Sequence, residues 1–182
     1  FRFGGQKRAI PMIDNLMVYY PHIKFIHLFS VMIWSMSAVG AYIYYFRTTL
    51  FAAKRDPHNM ELQRRLIWAY EQFDKTVVLE HIAFPVVLVT GLLMFFMAGW
   101  SIDSQWLLIK LVIVIGFFIP LEILDIWISH VLGPRISKHR ESDVDGWVQG
   151  RALHWKFLKI VSPWVGITIP LVIFLAVVKP AF

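Results

Sequence analysis

The sequence predicts an all-α integral membrane protein, a four-helix bundle of transmembrane helices whose second helix extends into the cytoplasm. Two observations predict this class. Hydrophobic residues make up 58% of the 182 residues and charged residues only 16%, a balance far too apolar for a small soluble protein. Four separate stretches each hold about 20 mainly apolar residues, the length that crosses a bilayer. The sequence contains no cysteine, which excludes disulfides, thiolate metal sites and iron–sulfur clusters.

The predicted helices form a single membrane domain, residues 1–182, with spans at 22–46, 77–100, 106–128 and 160–178. Only Ser101 to Gln105 separates the second span from the third, so these two helices are predicted to be antiparallel neighbours. The other two connections, residues 47–76 and 129–159, are long and polar. They are predicted to be the cytoplasmic loops.

The second helix is predicted to begin well outside the membrane. Asp56 before Pro57 is typical of an N-cap followed by proline in the first turn. An apolar stripe then runs at helical spacing into the second span, through Leu62, Leu66, Tyr70, Phe73 and Val77. Two weaker elements are an exposed loop from Gly133 to Gly150 and a short interfacial helix at residues 8–21.

The distribution of Lys and Arg predicts the orientation. The face with the two long loops carries more than twice as many of these residues as the opposite face. Because cytoplasmic loops collect positive charge, both loops are predicted to be cytoplasmic and both termini outside. The net charge of +6 then reflects topology, so the predicted partner is the lipid bilayer and not nucleic acid.

Ionisable residues inside a span cost several kcal/mol on insertion scales, roughly 2.5–3.5 at the centre, and are therefore candidates for function. Helix direction sorts them into two sets by depth. His27 and Lys110 belong to the outer side of the membrane. The inner half or its edge holds Glu80, His81, Glu122, Asp125, His130 and His154. The sequence thus predicts two possible sites.

The inner set has three interpretations. His81 with His130 or His154 can ligate a haem axially from different helices. With the carboxylates Glu80, Glu122 and Asp125 added, the same groups can instead hold a divalent metal or relay protons. The residues near the membrane edge can also simply be solvated or paired with Arg151 or Lys156.

The outer set is smaller. His27 and Trp34 are seven residues apart, close to two helical turns, so their side chains are predicted to share a helix face. The imidazole can ligate haem iron, and the indole can flank a porphyrin. A lone membrane histidine is also often a helix-to-helix hydrogen bond. Lys110 can pair with a porphyrin propionate or extend to the membrane surface.

Four segments resemble the HemJ-type protoporphyrinogen IX oxidases. They are His27-Leu-Phe-Ser-Val-Met-Ile-Trp34, Val89-Thr90-Gly91-Leu92, Trp106-Leu-Leu-Ile-Lys110 and Val177-Val178-Lys179-Pro180. The first three are also similar to the CopD-type copper-resistance membrane domain. HemJ-type proteins are small bacterial membrane proteins that bind haem b, so the resemblance implies a bacterial inner membrane and gives His27, Trp34 and Lys110 haem-associated roles.

Two elements of the HemJ pattern are replaced. The family has a histidine eleven residues after the third-helix lysine, where this sequence has Leu121 beside Glu122. It also has an Asn-Glu-x-Pro step before the last helix, where this sequence reads Lys159-Ile-Val-Ser-Pro163. The resemblance therefore supports the four-helix scaffold more directly than the oxidase reaction.

The leading functional expectation is a haem-b-associated inner-membrane protein of the HemJ-like group, acting in porphyrin oxidation or electron transfer. The alternative is a cofactor-free accessory subunit of a larger redox or photosynthetic membrane complex, with other membrane subunits or further copies of itself as partners. A third interpretation is ion or proton transfer through Glu80, Glu122 and Asp125.

Overall fold

The computed structural model describes residues 17–41, 47–136 and 142–180, with the side chains of 37–41 excepted. Within these ranges the chain is helical apart from its turns and contains no strand, which confirms the all-α prediction. The helices are α1 Tyr20–Ala41, α2 Arg47–Arg55, α3 Met60–Met97, α4 Gln105–Ile136 and α5 Val144–Val178.

Three helices, α3, α4 and α5, are long and apolar enough to cross a membrane. The first predicted span, residues 22–46, corresponds to α1, which is 22 residues long and therefore about 33 Å, but this helix is not among the three. Its crossing stays a prediction. The end of that span, residues 42–46, and most of the predicted interfacial helix, residues 8–16, lie outside the described residues.

The extension of α3 beyond the apolar stretch is confirmed, since the helix runs for 38 residues. The predicted N-cap was wrong. Asn59 caps the helix, its side chain accepting from the backbone N–H of Glu61 (3.1 Å) and Leu62 (3.2 Å). Asp56 lies in the turn after α2, where its backbone oxygen accepts from the N–H of Asn59 (3.3 Å). The predicted loop at 47–76 is therefore a hairpin of α2 and α3.

Helix α4 departs from regular α geometry at two π-helical segments, Val114–Phe118 and Trp127–Leu132. The first ends just before Pro120, whose ring would clash with the carbonyl of Gly116 in a regular helix. The wider turn relieves that clash. The second contains His130 and shifts the helical register at the end of the predicted third span.

The expectation of an exposed loop from Gly133 to Gly150 was wrong. Helix α4 continues to Ile136 and α5 already begins at Val144. Both glycines are buried, and a Cβ built on Gly150 would lie 3.0 Å from the backbone oxygen of Gly133. Without side chains at these positions α4 and α5 approach closely, so the segment is part of the helix packing. Residues 137–141 lie outside the described part.

The bundle is built from two closely packed pairs. The backbones approach most extensively between α1 and α3, and α4 packs against α5. Side chains join the pairs: Trp34 of α1, Ala83 and Phe84 of α3 and Phe118 of α4 form one buried apolar cluster. The predicted contact between the second and third spans is therefore made by large side chains.

The two ends of the bundle differ. At the head end, which carries α2 and the first turns of α3 and α5, a second buried cluster holds Ala69, Tyr70 and Trp155. At the opposite end, the Lys179 ammonium lies 5.2 Å from the ring centre of Trp100 and 5.6 Å from that of Trp106. This cation–π contact ties the end of α5 to the turn between α3 and α4.

The glycine contact gives a stability prediction. We expect Gly150→Ala to lower the free energy of unfolding by about 1–3 kcal/mol, because the new methyl group overpacks the backbone of Gly133. Thermal unfolding in detergent measures the effect. Gly166→Ala on the same helix is the matched control: no atom lies within 4 Å of its Cβ, so it should be neutral or slightly stabilising. Equal melting temperatures for the two variants would contradict the prediction.

Candidate functional site

Four ionisable side chains from three helices meet near the head end. They are His81 of α3, Asp125 and His130 of α4, and His154 of α5, and we call them the histidine–aspartate cluster. Nδ1 of His81 lies 2.9 Å from Nε2 of His130. Nε2 of His81 lies 2.9 Å from Oδ2 of Asp125, and Nε2 of His154 lies 2.6 Å from Oδ1 of the same carboxyl. The four groups form one continuous line of hydrogen bonds.

The cluster runs from the protein surface into its interior. His130 is exposed, and the side chain of His81 is 9% exposed. Asp125 is 6% exposed and His154 only 1%. An unpaired buried charge is very costly, so the two imidazole N–H groups are what make a carboxylate tolerable at this depth.

The partners fix the direction of each hydrogen bond. An ionised carboxylate only accepts, so His81 and His154 both donate to Asp125 from Nε2. A neutral His81 that donates from Nε2 must accept at Nδ1, and the donor there is Nε2 of His130. Each imidazole of the pair therefore has one nitrogen that receives a proton and one that gives it away.

Local structure positions these groups. Asp125 lies one turn before the π-helical segment that contains His130, and Ser129 donates to the backbone oxygen of Asp125 (2.8 Å). The wider turn brings His130, five residues after Asp125, back toward His81. The ring of Phe73 on α3 packs against His154 on α5, with the ring centroids 5.8 Å apart. The buried imidazole is thereby held between a carboxylate and an aromatic ring.

An ion pair that the sequence did not point to lies beside the cluster. Nη1 of Arg151 donates to Oδ2 of Asp74 at 2.7 Å, linking α5 to α3. Asp74 is close enough to His130 and His154 to act on both electrostatically. Its position two turns before His81, on the same helix face, was the available signal.

One turn from Asp125, Glu122 occupies a separate environment. It is 6% exposed, and Nε1 of Trp34 donates to its Oε2 at 3.2 Å. Its other oxygen, Oε1, has no hydrogen-bond partner within the described part of the chain. Glu80, the third predicted carboxylate, is half-buried on α3 beside His81.

The predicted outer histidine contacts a neighbouring helix. Nδ1 of His27 lies 3.1 Å from the backbone oxygen of Val87 and 3.0 Å from Oγ1 of Thr90. A Cβ built on Gly91 would lie 3.2 Å from Cε1 of the same ring. Lys110 is half-buried and close enough to act on His27 electrostatically. The helix-to-helix hydrogen bond expected of a lone membrane histidine is present.

The structure regroups the predicted residues. His81, Asp125, His130 and His154 come together, but Trp34 joins Glu122 and not His27. The inner and outer sets remain two separate sites. Thr90, which contacts His27, follows His81 by nine residues on α3, so the sites are about 14 Å apart along the helix.

The distances between these side chains show whether the predicted ligands are arranged to hold a metal ion or a haem. Among the described residues, no group of three or more His, Asp or Glu side chains is arranged to hold a metal ion. A haem iron needs space between its two axial nitrogens, whereas His81 and His130 are at hydrogen-bond distance and His81 uses both ring nitrogens. These histidines therefore do not fit a haem in this arrangement.

His27 fits a haem ligand better. A backbone carbonyl only accepts, so Nδ1 of His27 carries the proton and Nε2 keeps its lone pair. A histidine held through one ring nitrogen is the usual form of a metal ligand. Comparisons with family models, curated proteins and solved structures find no match to this chain. The evidence for a function therefore lies in the geometry of the histidine–aspartate cluster and of the His27 site.

Proposed function

We propose that this protein is a proton-transfer membrane protein and that the histidine–aspartate cluster is its proton pathway. The observation that supports it most is the unbroken line of hydrogen bonds from the exposed His130, through His81, to Asp125 and the buried His154. Ionisable residues this deep in apolar helices are costly, and proton relays are among their usual roles. The third interpretation of the sequence also proposed proton transfer through Asp125, but with Glu80 and Glu122 in place of the histidines.

The relay works by exchange of protons on opposite ring nitrogens. A proton that binds Nδ1 of His130 allows the proton on Nε2 to pass to Nδ1 of His81, 2.9 Å away. His81 is then an imidazolium that faces the carboxylate of Asp125. The pair is neutral overall, so the added proton is stabilised without a net buried charge. Transfer of the Nε2 proton to Oδ2 of Asp125 leaves a neutral His81 with its proton on Nδ1, whereas return of the Nδ1 proton to His130 restores the starting arrangement.

The second hydrogen-bond partner of Asp125 is His154. Its N–H holds the second carboxylate oxygen, which keeps the carboxyl plane fixed while His81 gains or loses a proton. His154 is therefore a positioning residue at the buried end of the relay. It is almost fully enclosed, and its Nε2 already carries the proton that it donates to Asp125.

The test is the rate at which the cluster takes up protons. After a jump from alkaline to acidic pH in detergent, a pH-indicator dye follows uptake, and nitrogen NMR of histidine-labelled protein identifies the imidazoles that become charged. We expect His130→Ala to slow uptake about tenfold, less than the roughly 100-fold or more typical of a proton-transfer group, because water can partly replace an exposed side chain. Free imidazole should restore the rate, because His130 is exposed and its position is open to solutes.

The control for this variant is His58→Ala, which removes an exposed histidine from the turn between α2 and α3. It should leave the rate unchanged. Uptake by His81 that proceeds at the wild-type rate without His130 would remove His130 from the pathway and end the proposal in this form.

A second candidate, the haem-b protein of the HemJ-like group, is supported by a separate observation. Thr90 and Gly91, from the second resembled segment, both contact His27 from the first. A haem at this site would supply electron exchange, with Nε2 of His27 as the ligand. The His27 ring is already oriented for that role by Val87.

The visible absorption spectrum of the purified protein, oxidised and reduced, tests the haem candidate. We expect His27→Ala to lose a haem-b spectrum and His81→Ala to keep it, because Nε2 of His27 keeps its lone pair whereas both ring nitrogens of His81 are hydrogen-bonded. Retention of the spectrum in His27→Ala would exclude this ligand. A colourless wild-type protein that co-purifies with companion subunits would favour the accessory-subunit interpretation.

A further inference from the structure

The apolar cluster around Trp34 separates the two polar sites of the bundle. Trp34 is 9% exposed, and its ring lies 5.2 Å from that of Phe84 on α3 and 5.0 Å from that of Phe118 on α4. Helix α5 completes the layer with Val165, Ile169 and Val172. All four long helices thus contribute to one apolar cross-section.

The stretches of α3 and α4 that cross this layer contain no ionisable residue. On α3 none occurs between His81 and the contact of Thr90 with His27, about 14 Å along the helix. On α4 none occurs between Lys110 and Glu122, about 18 Å. A proton needs hydrogen-bonded groups or water to move, and a tightly packed aromatic layer offers neither.

Trp34 also covers the carboxyl group of Glu122, which lies next to this layer on the side of the head end. Its indole N–H holds one oxygen of Glu122, and the rings around it cover the layer beyond. Oε1 of Glu122 stays without a hydrogen-bond partner in the described structure, within one helical turn of Asp125. A buried oxygen of this kind is suited to take a proton that arrives from the cluster.

We propose that Trp34 is a proton barrier, which makes the relay open to the head end only and leaves Glu122 as its terminal proton acceptor. The wild-type protein then loads and releases protons on one side without conducting them across the bilayer. This inference rests on the proposed proton pathway, and it adds that the pathway ends inside the protein.

Proton flux into vesicles that enclose a pH-sensitive dye tests the barrier. We expect the wild-type protein to add no measurable flux and Trp34→Ala to raise flux at least tenfold, because water can enter the space and connect Glu122 with His27. Phe84→Ala, which opens the same layer, should act in the same direction. Leu175→Ala removes a buried side chain outside this cluster and should not conduct.

The double variant Trp34→Ala/Asp125→Asn shows whether the flux uses the relay. Flux should return to the wild-type level, since the opened layer no longer receives protons from the cluster. Persistent flux in the double variant would mean an unspecific leak and would overturn the proposal. So would a conducting wild-type protein, or folded Trp34→Ala and Phe84→Ala variants that do not conduct. Failure of the relay itself is distinguished by the pH-jump experiment in detergent, which needs no barrier.

Discussion

Asp125→Asn is expected to abolish proton uptake by His81 and to destabilise the protein. The carboxylate accepts from His81 at 2.9 Å and from His154 at 2.6 Å, and its charge is what stabilises an imidazolium in this apolar setting. An amide keeps one acceptor oxygen but presents N–H groups to the second histidine. One buried donor is left unsatisfied, which costs about 1–3 kcal/mol.

Two measurements check this expectation. Thermal unfolding in detergent gives the loss of stability, and nitrogen NMR of histidine-labelled protein over a pH series shows which imidazoles become charged. Asp103→Asn is the control, because it makes the same chemical change in the exposed turn between α3 and α4. If His81 still gains a proton as in the wild type, the carboxylate does not hold the charge and the proposed pathway is wrong.

The grouping of the inner residues could be predicted because it depends on local rules. A short connection makes the second and third spans antiparallel neighbours, and residues three apart share a helix face. These rules place Asp125 near His81. They do not give the bonding partner of each ring nitrogen, which depends on the approach of α5 through the Gly133–Gly150 contact.

Trp34 shows where helical periodicity is insufficient. Seven residues from His27, it was expected to share the outer site, and it does face the same neighbouring helix. Its partner, however, is Glu122, 88 residues away on α4. Such a pairing depends on the tilt and axial shift of α1 against α4, which are set by side-chain packing and leave no periodic signal in either helix.

The register of α4 was also not predicted. A regular helix would direct His130, five residues after Asp125, away from the His81 side of α4, since five residues turn through about 140°. The π-helical segment Trp127–Leu132 adds the extra residue to the turn and corrects this rotation. The available signal was Pro134, whose ring would clash with the carbonyl of His130 in a regular helix.

His81→Phe is expected to have the largest kinetic effect, because His81 is the one group bonded to both His130 and Asp125. The phenyl ring fills most of the imidazole volume but neither accepts nor donates a proton. We expect the proton uptake that depends on Asp125 to slow by about a hundredfold or more. Stopped-flow pH jumps in detergent, with the dye and NMR assignments used for His130→Ala, measure the rate.

Chemical rescue separates the two histidine variants. Free imidazole should restore uptake in His130→Ala, whose position is exposed, but not in His81→Phe, whose position is enclosed and already filled by the new ring. A melting temperature close to that of the wild type would show that the packing survives the substitution. Rescue of His81→Phe by imidazole, or a wild-type rate without it, would mean that protons reach Asp125 by a route that bypasses His81. The interior of the cluster would then be open to water, and Asp125 would be its only essential member.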